Sequence, residues 1–152
     1  MAYNTITVKG SCIRKERVAA AAITPGMLVE ITSADKVQAH SAAGQPAQRA
    51  FALEDDLQGN EISDAYAAAA QVQYGVFVPG SEVYALLANG ENAVKGSYLV
   101  SNGDGYLAVW AAGSAGQVEY PNCIVGVALE ALDMSGSSGV DPSSQRILVE
   151  VM

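Results

Sequence analysis

The chain has 152 residues, which suits one domain that buries roughly 70% of the surface its extended form would expose. Half of the residues are hydrophobic, but 26 of them are Ala, so the core has to come from a modest set of Val, Leu, Ile and Tyr. A net charge of −8 argues against nucleic acid as a partner, because phosphate binding takes a basic face. No apolar run is long enough for a membrane span, and MAYNTITVKGS lacks the apolar centre of a signal segment.

Taken in chain order, ITVKG alternates as a half-buried strand does, with Ile6 and Val8 facing one way and Thr5 and Thr7 the other. Lys9, Arg14, Lys15 and Arg17 follow. Opposed only by Glu16, they leave +3 on the first 25 residues and −11 on the rest. Two readings are open. The charges belong to an edge strand that resists unwanted pairing, or to a basic arm that docks on an acidic partner. TPGMLVEI is a Pro-Gly turn feeding an apolar run, and SADK separates it from VQAH, so residues 27–40 read as a hairpin. RAFALEDDLQGNEISD, residues 49–64, runs from a buried strand into a string of acids. ISDAYAAAAQV reads either as a short helix capped by Ser63 or Asp64 or as an Ala-rich loop, since Tyr66 and Val72 alone make no apolar face. YLVSNGDGYLAVW is a clear hairpin, its turn supplied by Asn102-Gly103 and Asp104-Gly105. CIVGVALEAL and RILVEV are further buried strands. Cys12 and Cys123 stand far apart with no CxxC spacing and are expected as free, buried thiols in a protein used without export.

A repeat is visible. Ala-Leu-Glu after an apolar position occurs in RAFALEDD and in IVGVALEALD. Upstream of each lies a hairpin opened by Gly26 or Gly96; downstream of each lies a final strand containing Val72 or Ile147. The two units span about 25–78 and 95–151, and the length difference falls in GSAGQVEYP. Each unit alone is too small and Ala-rich to be stable. Together they predict a single all-β domain over 1–152, compact and barrel-like or clip-like, with at most one short helix.

Candidate chemistry is sparse. An EF-hand starting at Glu54 would need a bidentate acid where Ala65 stands, and one starting at Asp55 would need an oxygen ligand where Leu57 stands. A looser Ca²⁺ site from Asp55, Asp56 and Asp64 stays open beside a solvated acidic turn and a contact surface for a partner. His40 is the only histidine, and QAHSAAGQ around it reads as surface. No GxSxG, phosphate loop, dinucleotide fingerprint or Cys/His cluster is present. No catalytic, cofactor or metal residue is assigned, and a non-enzymatic structural role is expected. Trp110, at the end of a hairpin strand, suits a core or interface position better than a sugar platform, though a glycan- or small-ligand-binding β domain remains the competing class.

The order TPGMLVEIT, AFALEDDLQG, VPGSEVYALLANG, SNGDGYL and VGVALEA…RILVEV resembles the small capsid cement, or head decoration, proteins of tailed bacteriophages. The resemblance runs from about residue 4 to 151. It implies a β-clip or tulip-like fold, location on the outside of the virion shell, the major capsid protein as partner, a homotrimer, and stabilisation of the expanded shell by bridging its subunits. From charge, hydropathy and the empty motif search, no cofactor, nucleic-acid or membrane partner is expected. In such proteins the N-terminal arm often adds a strand to the capsid. The matching arm here is 2–10, which puts capsid contacts at Tyr3, Asn4, Ile6 and Val8 and, just beyond, at Arg14, Lys15 and Arg17. Its removal is expected to leave a folded protein. Tyr84, Tyr98 and Tyr106 are the candidate trimer contacts, since Tyr is common at interfaces.

Overall fold

The computed structural model describes residues 2–111, 121–136 and 141–152. The first part of the chain forms β1 (Thr7–Lys9), β2 (Cys12–Val18), the hairpin β3 (Val29–Ile31) and β4 (Val37–Ala39), and β5 (Ala50–Ala52). A 3-10 turn, Asp56–Gln58, precedes β6 (Gln71–Phe77). After β7 (Glu82–Leu86) and β8 (Asn92–Ala93) come the hairpin β9 (Tyr98–Ser101) and β10 (Leu107–Val109), then β11 (Ile124–Ala128), β12 (Leu132–Asp133) and β13 (Arg146–Val151). The molecule is all-β, as the alternation and turn signals imply. Both expected hairpins form, in antiparallel register.

The strands assemble into a six-stranded sheet of order β1-β7-β13-β11-β9-β10, a three-stranded sheet β2-β6-β5, and the pairs β3-β4 and β8-β12. Among the described residues no closed barrel forms, although isolated bridges, Leu28 to Phe51, Ala19 to Val37 and Leu87 to Leu107, join the sheet edges. The same construction occurs twice. β2-β6-β5 and β7-β13-β11 share order and antiparallel sense. Gly26 and Gly96 both sit at φ +94°, and each donates its N–H to the carbonyl of the Ala that opens Ala-Leu-Glu, Ala52 or Ala128, at 2.8 Å. Leu53 and Leu129 then donate to Gln73 and Leu148, at 2.9 Å in both cases. Ala20 and Ala88 donate to Val37 and Leu107, both at 2.8 Å. Most of GSAGQVEYP and residues 137–140 lie outside the described residues.

Two apolar clusters result. The larger draws Ile6, Leu28, Phe51, Leu53 and Phe77 from the first half and Val83, Leu87, Leu99, Leu107, Val125, Ile147 and Val149 from the second. The smaller, around Ile23, Val29, Val37, Tyr66, Val72 and Tyr74, belongs to the first half. Arg146 ties the halves together: its guanidinium donates to the carbonyls of Pro25 (2.9 Å) and Ile62 (2.6 Å) and lies 5.9 Å from the centre of the Tyr84 ring.

Residues 62–70 take the loop alternative, and Gln71 and Val72 already belong to β6. Tyr66 is buried and exchanges backbone hydrogen bonds with Ile23 (2.8 and 3.1 Å), its hydroxyl donates to the carbonyl of Leu53 (2.7 Å), and Ala69 has a φ of +68° that no right-handed helix accommodates. The N-terminal segment is built into the molecule. β1 pairs with β7, Ile6 is completely buried, and the Tyr84 N–H donates to the Ile6 carbonyl at 2.8 Å. This corrects the expectation of a free arm at residues 2–10: in the folded molecule the segment is part of the sheet and of the core.

Candidate functional site

The charged stretch RKER lies in β2, a seven-residue strand at the outer edge of its sheet. Its orientation follows from β6. Gln73 accepts from Leu53, and Phe77 donates to Arg49, so the odd residues of β6 bond towards β5. Val72, Tyr74 and Val76 therefore bond towards β2, where they face Arg17, Lys15 and Ile13. In an antiparallel ladder the backbone groups of alternate residues point to opposite sides. The N–H and C=O groups of Arg14 and Glu16 thus point outward, away from β6. Residues 13–16 are exposed, Ile13 at 68%.

The acids at 54–56 form a clasp over this N-terminal region. Glu54 Oε2 accepts from the Ile6 N–H at 3.0 Å, and Asp55 Oδ1 lies 3.5 Å from Gln73 Nε2. Asp56 Oδ1 meets Arg14 Nη2 at 3.3 Å, and that same nitrogen donates to Gln73 Oε1 at 2.6 Å. Arg17 pairs with Asp35 at 3.2 Å. The positive charge of the segment is thus matched in part by this chain's own acids, across 42 residues of sequence in the case of Arg14 and Asp56. Lys15 forms no ion pair among the described residues. The loose Ca²⁺ site is not assembled: Asp64 turns back to cap the Glu61 N–H at 2.7 Å, Asp55 and Asp56 address different partners, and the described residues hold no cluster of metal-ligating side chains. Between β2 and the 3-10 turn lies a shallow cleft of about 470 Å³ lined by Arg14, Lys15, Glu16, Asp56, Leu57 and Gln73. Leu57 stands at its rim, 80% exposed. Sequence reading missed Leu57 and Ile13; the available signal was an apolar residue inside the acidic run EDDLQGNE and another immediately before RKER.

The arm residues separate. Asn4 is exposed, Val8 half-buried and Ile6 in the core, while Tyr3 packs edge-on against the Tyr84 ring with centroids 5.2 Å apart. Tyr84 is therefore enclosed by Tyr3 and Arg146, which removes it from the free surface as a trimer contact. Tyr106 is half-buried; Tyr98 is 44% exposed and packs edge-on with Trp110 at 6.2 Å.

His40 is buried, against the expectation of a surface position. Its Nε2 is 3.2 Å from the Pro46 carbonyl, which can only accept, so Nε2 carries a proton, and Nδ1 lies 2.7 Å from the Ser101 hydroxyl oxygen. Glu30 Oε2 lies 3.7 Å from Nε2. Partial burial pushes the Glu30 carboxyl up. Donors from Ser41 and Gln38, with His40 nearby, outweigh that and hold it below its usual range. Ser, His and Glu thus stand in line, but Ser101 is buried and its Oγ also accepts from the Gly103 N–H, so the contact joins the two hairpins and presents no open nucleophile.

No family model matches the chain, and no curated protein matches it. Among solved structures it is similar to the N base of head fiber gp8.5 of bacteriophage phi29, with a TM-score of 0.59 and 11% sequence identity, over 93% of this chain and 95% of that one. At that identity the shared property is the fold.

Proposed function

We propose that the chain is a structural protein of a tailed-phage head, a homotrimer that sits on the outside of the shell, binds the major capsid protein and bridges neighbouring subunits of the expanded lattice. The observation that carries this reading is the fold held in common, nearly end to end, with the base of a phage head fiber. The likeness of the strand and turn segments to decoration proteins points the same way.

The structure shifts where such contacts would fall. An arm that left the molecule to add a strand elsewhere would uncover Ile6 and the edge of β7. The polar contacts assigned to Arg14, Lys15 and Arg17 need no such rearrangement, because β2 is already at the surface. Several weak contacts on one trimer gain avidity through effective concentration, so no single one needs to be strong. The test is to mix the protein with expanded, DNA-free phage heads and sediment them. Co-sedimentation, with a raised temperature of shell disruption, is the expected outcome. Protein that stays in the supernatant at micromolar concentration refutes the proposal.

A further inference from the structure

The two halves are built alike, but one edge differs. Ala19 and Leu87 make the corresponding parallel bridges, to Val37 and Leu107, which aligns Glu16 with Tyr84, Lys15 with Val83 and Arg14 with Glu82. On β7 the outer edge is filled. β1 runs antiparallel to it, the Tyr84 N–H donates to the Ile6 carbonyl at 2.8 Å, and Lys9 approaches Glu82 at 3.6 Å. On β2 the corresponding edge carries no strand among the described residues, although it is longer and its Arg14 and Glu16 backbone groups point outward.

We propose that the outer edge of β2 receives an extended strand from a shell subunit, added antiparallel as β1 is added to β7. Main-chain bonds to an open edge supply affinity and alternate side chains supply fit. Ile13 gives an apolar contact on one face of the edge, and Leu57, beside the cleft, gives one on the other. The charge of the guest follows from the filled edge. There an acid on the host, Glu82, meets a lysine on the guest. Here the host carries Arg14, shared with Asp56, at the position of Glu82, and beside it Lys15, which forms no ion pair among the described residues, so the guest strand is acidic. The natural edge defences, charged side chains on an exposed strand, are consistent with this: they exclude self-pairing while admitting a partner of complementary charge.

The inference rests on the shell-binding proposal, and its test separates the two. Glu16→Pro deletes an outward N–H that the fold does not use, at an edge position where proline is tolerated; Glu16→Ala keeps that N–H and removes the carboxylate. Shell binding by Glu16→Pro is expected to fall about tenfold or more, and Glu16→Ala to bind as wild type. In the wild-type protein, amide hydrogen exchange at residues 14 and 16 should slow on loaded shells, a readout that stands even where the proline variant folds poorly. Wild-type loading with exchange at 14 and 16 unchanged, or a folded Glu16→Pro that binds normally, overturns the edge assignment and leaves shell binding intact. Wild type that does not load overturns both. A free oligomer that Glu16→Pro turns into monomers makes the guest a second copy of this chain, and also overturns the assignment.

Discussion

At the scale of single residues, the matched glycines separate backbone strain from crowding. Gly26 and Gly96 share φ +94°, a conformation costing an L-residue about 1–2 kcal/mol. A Cβ on Gly96 meets nothing within 4 Å, whereas one on Gly26 would lie 2.5 Å from Arg146 Nη1 and 2.9 Å from the Tyr84 carbonyl oxygen. Gly96→Ala is therefore expected to cost about 1–2 kcal/mol. Gly26→Ala adds overpacking and displacement of the guanidinium, for a total of about 3–5 kcal/mol. Urea unfolding of the two variants measures the difference; equal losses would mean that Arg146 moves aside freely. Glu30 sets a pH dependence. Its carboxyl is held below its usual value of 4.5, so it binds a proton less readily in the folded state, and its stabilisation is present above that value. The stabilisation is lost as pH falls through the lower, folded-state pKa. Glu30 is partly exposed, so the effect is below about 1 kcal/mol. Glu30→Gln should flatten the acid limb of stability against pH, and a variant with the wild-type slope would remove Glu30 as its source.

At the scale of elements, the N-terminal segment has a structural duty. Ile6 is fully buried in the larger cluster, and its N–H and C=O are both engaged, by Glu54 and Tyr84. Ile6→Ala should cost about 2–4 kcal/mol by cavity formation, and deletion of 2–10 more, seen as a lowered urea midpoint. A truncated chain with wild-type stability would restore the free-arm picture. This element shows what the sequence could and could not convey. Alternation at Ile6 and Val8 announces a half-buried strand, but it is the same whether the strand pairs with its own sheet or with another molecule. The hairpins were legible because their turn chemistry is local, at Ser33-Ala34-Asp35-Lys36 and Asn102-Gly103. The clasp was not, because Glu54, Asp55 and Asp56 find Ile6, Gln73 and Arg14 only through tertiary folding. His40 was misread for a related reason: its small polar neighbours resemble a surface loop, while its partner Ser101 stands 61 residues away. The edge character of β2 was legible from its charges. Its open side depended on knowing that β1 had gone to β7.

At the scale of the whole molecule, the larger cluster decides how the halves unfold. Phe51 lies in the first half, on β5, yet packs edge-on against Phe77 (6.0 Å, 71°) within a cluster whose second-half members include Leu99, Leu107 and Val149. A core shared in this way makes neither half a separate unit, since removing one exposes the apolar face of the other. Trp110, the lone tryptophan, ends the second hairpin and reports on the second half. Its fluorescence and the far-ultraviolet circular dichroism of the whole chain should therefore give coincident urea transitions. Phe51→Ala, expected to cost about 3–5 kcal/mol, should move both transitions by the same amount although the substitution is in the other half. A Trp110 transition that stays in place while the dichroism shifts would show that the halves fold independently. The β2 edge and the six-stranded sheet would then be two modules joined by a chain. One rigid body is the better mount for the proposed bridging of shell subunits, because load applied at an edge on one half would be carried through the common core to the other.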